Sequence, residues 1–231
     1  MRNVLRPNAI VFDLDNTLVE SAVDFQEMRR RVVAELERCG APRHLVDTEK
    51  TVLTNIREGR NYLSRLRDES YLLDLDLRLG GILTDCELST LPMVKAVEGA
   101  HDALAMLESQ GLALGVLTRG SRPYASAALR KVGLDEVLHH MVCRDDHPLE
   151  EAKPNPLAMQ RIASKLGVHA RECLYVGDHL IDLECARASG SAFVGVLTGV
   201  MTVEEWRKHT CPQVVRSVAD IPSTIALHGA R

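Results

Sequence analysis

Aromatic side chains are scarce in this chain of 231 residues: one Trp, four Tyr and three Phe, 3% in all. A core must therefore be filled mainly by Leu, Val, Ala and Ile. No pair of cysteines shows C-x-x-C spacing; Cys39, Cys86, Cys143, Cys173, Cys185 and Cys211 are scattered, which suits reduced thiols and argues against a disulfide framework or a zinc site. No stretch approaches the roughly 18 apolar residues of a membrane span, and the opening MRNVLRPNAI carries no signal-peptide run. These absences predict a cytoplasmic protein with no membrane partner. No long block of one charge sign occurs either: 28 basic against 32 acidic side chains give a net charge of -4, so nothing advertises a nucleic-acid partner. Internal repeats and low-complexity segments are also missing.

What is present is an ordinary globular composition, 45% hydrophobic and 26% charged, in a length that suits a core domain carrying an appended or inserted piece. From residue 99 onward helical and strand patterns alternate. GAHDALAMLESQG reads as a helix closed by Gly111, and LALGVLT as a buried strand. SRPYASAALRKVG is a helix with Ser121 at its N-cap and Pro123 in its first turn. A strand around Val137–Cys143, a helix from Pro156 to Leu166, the strand ECLYVGD, a helix stopped at Gly190 and the strand AFVGVLT complete the rhythm. Such an order predicts an α/β fold, a mostly parallel Rossmann-like sheet with helices on both faces. Trp206 and the C-terminal stretch read as core and a closing helix. Residues 21–95 break the pattern with three helical stretches, VDFQEMRRRVVAELERCG, TVLTNIREG and ESYLLDLDLRLG. They predict a helical insertion after the first strand, which divides the chain into a core of 1–20 and 96–231 and a cap of 21–95.

The first strand, IVFDLDNTL, runs into Asp13 and Asp15. Positions i and i+2 of a strand share a face roughly 6 to 7 Å apart. At an effective dielectric near 20 two such charges repel by about 2 to 3 kcal/mol, so a metal ion, a basic side chain or a held proton must compensate. Thr118 and Asp178 also fall at strand ends, where open parallel sheets bind their ligands.

In chain order these residues make four motifs: Asp13 and Asp15 in DLDNT, Thr118 in VLTRG, Lys153 in EAKPNP, and Asp178 with Asp182 in VGDHLID. The set resembles the haloacid dehalogenase superfamily of phosphohydrolases over essentially the whole chain. The resemblance implies a phosphatase that hydrolyses a small phosphate monoester through an aspartyl-phosphate. Asp13 would be the nucleophile and Asp15 the general acid and then base. Lys153 and Thr118 would hold and neutralise the phosphate, with Arg119, where many relatives carry Asn, able to reach a second anionic group. Mg²⁺ would be held by Asp13, the Asp15 carbonyl and Asp178, with Asp182 in support. Thr17 would organise the turn after the strand. Dehalogenases of the superfamily lack an aspartate at the place of Asp15, so a phosphatase is implied, and the insertion looks like the cap shared by phosphoglycolate phosphatases and β-phosphoglucomutase.

Other readings compete. A phosphomutase of the β-phosphoglucomutase type would use the same core, and a nonenzymatic phosphoacceptor or binding module would share residue types. A calcium loop opening at Asp13 fails because its sixth position is Leu18 rather than Gly. Arg29, Arg30 and Arg31 read as a solvated helix face. Arg57, Arg60, Arg65 and Arg67 are candidates for a substrate clamp, and His139, His140 and His147 read as partly exposed edge residues. His179, after Asp178, stands where a small polar residue is common. Either a monomer or a homodimer is compatible with the sequence.

Overall fold

In the computed structural model residues 6–225 are described, so the start of the N-terminal stretch and the end of the C-terminal one lie outside the described residues. The chain forms two compact units, residues 1–21 with 93–231, and residues 22–92.

The first unit is built on a parallel six-stranded sheet: β1 (Ala9–Phe12), β4 (Ala113–Leu117), β5 (His140–Val142), β6 (Cys173–Gly177), β7 (Ala192–Val196) and β8 (Val214–Val215), in the order β5-β4-β1-β6-β7-β8. The first strand is central, with Phe12 beside Val116 on one side and Val176 on the other. All four residues of β1 are fully buried, as expected of a strand covered on both faces. Helices α4 (Ala100–Ser109), α5 (Arg122–Val132), α6 (Pro156–Lys165) and α7 (Leu180–Ser189) make the crossovers. Their ends follow local chemistry. Ser121 and Asn155 accept hydrogen bonds from Tyr124 N and Leu157 N at the starts of α5 and α6, each with Pro in the first turn. Gly133 and Gly190 close α5 and α7 in the left-handed conformation. Trp206, fully buried on α8 (Val203–Lys208), packs against Phe193 and donates to the Val196 carbonyl. The expected closing helix is a 3-10 segment, Val218–Ser223, with Pro222 inside it.

One element escaped the periodicity. Val19–Glu20 (β2) pairs antiparallel with Lys95–Ala96 (β3). Two residues a side are too few to show an alternation, so only the fold reveals this ribbon.

The second unit holds three mutually packed helices, α1 (Phe25–Arg38), α2 (Val52–Leu63) and α3 (Glu69–Ser89). Asp24, Thr51 and Asp68 cap them. Leu72, Leu75, Leu79 and Leu83 give α3 a buried stripe at helical spacing. Gly59 allows α2 to approach α1: a Cβ there would stand 2.8 Å from Leu36 Cδ2. Buried Asn55 accepts from Asp47 N and donates to Asp47 O, which ties down the loop between α1 and α2. No helix among the described residues is long and apolar enough to cross a membrane.

Candidate active site

Asp13 follows β1 directly, and its N–H donates to the Val176 carbonyl, so the backbone that carries it is held by the neighbouring strand. Beyond it the chain turns sharply. The N–H groups of Leu18 and Val19 both donate to Leu14 O, and Asn16 takes a left-handed φ of 56°, a conformation Asn tolerates better than most residues. Thr17 is fully buried in this turn. Asp15, at the same turn, accepts a hydrogen bond of 2.7 Å on Oδ1 from the Tyr124 hydroxyl.

Lys153 arrives from the loop before α6, joined to Pro154 by a cis peptide. Its ammonium lies 2.5 Å from Asp13 Oδ1, 2.7 Å from Asp182 Oδ1 and 2.8 Å from the Tyr175 hydroxyl. Tyr175 in turn donates to Asp182 Oδ1 at 2.7 Å. Asp182 also accepts the His179 N–H on Oδ2 at the start of α7. Asp13, Asp178 and Asp182 each bring a carboxylate oxygen within 4.8 Å of the others, and all three are buried.

Three carboxylates facing one ammonium leave the pocket short of positive charge. Burial, reinforced by Asp182, pushes the Asp178 carboxyl up to about 7. Asp13 is pushed well above the carboxylate range by burial, against the pull of Lys153 and with the push of Asp182 and Asp178. Lys153 is held charged: its two carboxylates outweigh the cost of burial and raise it above the usual lysine range. Two glycines make room for the carboxylates. A Cβ at Gly199 would lie 1.8 Å from Asp178 Oδ2, and one at Gly177 would lie 2.5 Å from Asp182 Oδ2. A buried, all-oxygen donor set in which one ammonium faces three carboxylates fits a hard divalent cation, which prefers such ligands.

Thr118, 4% exposed, directly follows β4, and its Oγ1 accepts the Gly120 N–H at 2.9 Å. Arg119 is half-buried, and burial together with the nearby Arg144 lowers its affinity for a proton, while Asp182 acts in the opposite sense. Arg144 donates to the Arg119 carbonyl at 3.0 Å. His179 serves as the N-cap of α7, its Nδ1 accepting from Ile181 N, and burial lowers its affinity for a proton, as an acceptor role requires. Of the helical-unit arginines, Arg60 pairs with Asp76 at 2.9 Å and Arg67 stacks over Tyr71.

Three residues at the site were not singled out by motif: Tyr124, Tyr175 and Arg144. Tyr175 left one trace, a phenol in the middle of the otherwise apolar strand CLYVG; the other two left none, since they meet the site only through the fold.

The architecture is that of a Rossmann-like α/β hydrolase with its acidic residues at the carboxyl ends of central parallel strands. The chain belongs to the haloacid dehalogenase-like hydrolase family, whose sequence model matches residues 10–196. Its relatives include a phosphoglycolate phosphatase of Yersinia pestis, 29% identical over 203 residues, 82% of this chain and 81% of that one. A phosphoglycolate phosphatase of Rhodospirillum rubrum is 31% identical over 193 residues, 80% of this chain and 77% of that one. Among solved structures, a family hydrolase from Deinococcus radiodurans with bound phosphate and sodium superposes with a TM-score of 0.59 at 22% identity, covering 94% of this chain and 93% of that one.

Proposed function

We propose that this hydrolase is a Mg²⁺-dependent phosphatase that cleaves a small-molecule phosphate monoester through a phosphorylated Asp13. The observation that carries the reading is the buried cluster of Asp13, Asp178 and Asp182 around the single ammonium of Lys153. The phosphatase names of its relatives support it, and phosphoglycolate is the first ester to try.

Each residue has a role that its surroundings suit. Asp13, fixed at the end of the central strand, supplies the attacking carboxylate oxygen. Lys153 tempers its charge so that an anionic ester can approach, and neutralises the phosphoryl oxygens as they gain charge. Thr118 and the amides that follow it, on the adjacent strand, hold phosphoryl oxygens, with Arg119 alongside. Asp15 gives a proton to the departing ester oxygen and then takes one from the water that cleaves the phospho-aspartate. Asp13, Asp178 and the Asp15 carbonyl would hold Mg²⁺, with Asp182 bracing the set. The ion supplies charge neutralisation for the phosphate. Burial of these groups keeps bulk water from screening the interactions. The helical unit acts on this reading as the cap that chooses among esters.

The test is phosphate release from phosphoglycolate, hexose phosphates, nucleoside monophosphates and an aryl phosphate, with Mg²⁺ and with chelator. Metal-dependent release from wild type, lost in a folded Asp13→Asn variant, is expected. An undiminished rate in that variant would sink the nucleophile assignment. Isomer interconversion primed by a bisphosphate, with no free phosphate, would point to a mutase instead.

A further inference from the structure

Tyr124 is fully buried on the first turn of α5, where the helix otherwise buries Ala125, Ala128 and Leu129. Its ring packs against the loop after β4, since a Cβ at Gly120 would stand 3.1 Å from Tyr124 Cδ1. Packing of this kind asks for an aromatic ring, and phenylalanine would fill the same space. The hydroxyl needs a separate reason, and it has one: it reaches across 109 positions of sequence to Asp15 Oδ1 at 2.7 Å.

We propose that Tyr124 is a positioning residue for Asp15, fixing the rotation of the carboxyl group that serves the leaving oxygen. The inference rests on the phosphatase reading above. A carboxyl group on a single Cβ–Cγ bond turns freely unless a partner holds it, and a phenol donating to a carboxylate makes one of the stronger neutral-to-ion hydrogen bonds. With one oxygen tethered, the carboxyl plane is set before the ester arrives, and that pre-set geometry is what makes a proton transfer efficient. In the first step a bond forms between Asp13 Oδ and phosphorus while the phosphorus–ester oxygen bond breaks. The bonding pair leaves on that oxygen, and the Asp15 proton joins it to give the alcohol. In the second step water attacks the phosphorus, Asp15 takes its proton, and the bond between phosphorus and Asp13 Oδ breaks with its pair returning to the Asp13 carboxylate. The products are inorganic phosphate, the Asp13 carboxylate and protonated Asp15. Tyr124 keeps its own proton throughout and touches no reacting atom.

Positioning of a general acid shows itself in the leaving group. An alkyl alcohol leaves poorly without a proton, whereas p-nitrophenol leaves well without one. The experiment compares kcat/KM of wild type and Tyr124→Phe on the best alkyl phosphate of the panel and on p-nitrophenyl phosphate, with Mg²⁺. The alkyl ester is expected to lose about tenfold or more, a part of the roughly 10²- to 10⁴-fold that acid–base catalysis contributes, while the aryl ester loses far less. In an Asp15→Asn background Tyr124→Phe should change the alkyl-to-aryl ratio no further. Equal losses on both esters, or no loss on either, overturn the inference while leaving the phosphatase intact. A wild type silent on both esters overturns the phosphatase reading, and the positioning role with it. If Tyr124→Phe melts too low to compare, 3-fluorotyrosine at 124 keeps ring and hydroxyl and alters only the strength of the donor. A ratio unmoved by that replacement also overturns the inference.

Discussion

The two units handle charge in opposite ways. In the sheet-based unit Asp13, Lys153, Asp178 and Asp182 are between 1% and 7% exposed and lie against one another. In the helical unit the ion pairs sit in partial solvent: Arg60 and Asp76 are 32% and 38% exposed, and Lys50 and Glu58 are 29% and 34% exposed. Removing ions from water costs several kcal/mol apiece, and mutual attraction returns it only with good geometry and further hydrogen bonds. Exposed pairs cost little and return little. The helical unit therefore draws its stability from its leucine stripe, with charges as solubilising trim. The sheet unit keeps an electrostatic arrangement that a well-packed apolar replacement often equals or betters, and on the function proposed above catalysis is the reason to keep it.

The contrast can be broken most forcefully at Lys153. Lys153→Met leaves Asp13 and Asp182 buried without their cation and should cost about 3 to 5 kcal/mol at pH 8, as loss of one partner of a buried ionic group does. Urea unfolding at constant m-value would measure it, and Mg²⁺ should restore part of the loss. A cost below about 1 kcal/mol would place this cluster with the surface pairs.

Asp178 sharpens the comparison through pH. Its carboxyl is pushed up to about 7 in the fold by burial and by Asp182, against about 3.9 for an unfolded Asp. The native state thus holds the proton more tightly, and this group's contribution to stability is full below about pH 4 and falls as pH rises toward 7. Without metal, Asp178→Asn should raise the thermal midpoint relative to wild type increasingly between pH 5 and 8. Mg²⁺ should reverse the order, stabilising wild type more at pH 8 than at pH 5. Parallel pH profiles for the two proteins would remove Asp178 as a strained ionisable group.

The smallest effect belongs to the helical unit. Arg60→Ala should cost no more than about 1 kcal/mol and should lose what effect it has in high salt. A loss several times larger, with phosphatase activity failing in step, would make Arg60 part of the substrate clamp rather than an exposed partner of Asp76.

Much of the sheet unit was legible before any fold was known. A helical period near 3.6 and short apolar runs, together with Ser121 and Gly190 at helix ends, mark α5, α7 and the strands between them, because those signals act within a few residues. Asp13, Thr118 and Asp178 stand out because each breaks an apolar run at a strand end. Local rules fail where a feature is too short, as in the Val19–Glu20 ribbon, or where a residue has two duties. His179 read as an unusual neighbour of Asp178, and in the fold it caps α7.

What the sequence determined by itself was the identity of the chemical groups and their order along the chain, since four motifs, a helical period and a set of apolar runs are properties of a string. What only the tertiary structure decided was which groups share a pocket: that Lys153 faces Asp13 and Asp182, that Tyr175 joins them, and that Tyr124 holds Asp15. The physical reason is range. Helix and strand signals are written in neighbours a few residues apart, whereas these hydrogen bonds join side chains between 22 and 140 positions apart, and only the folded sheet brings such distant positions within 3 Å.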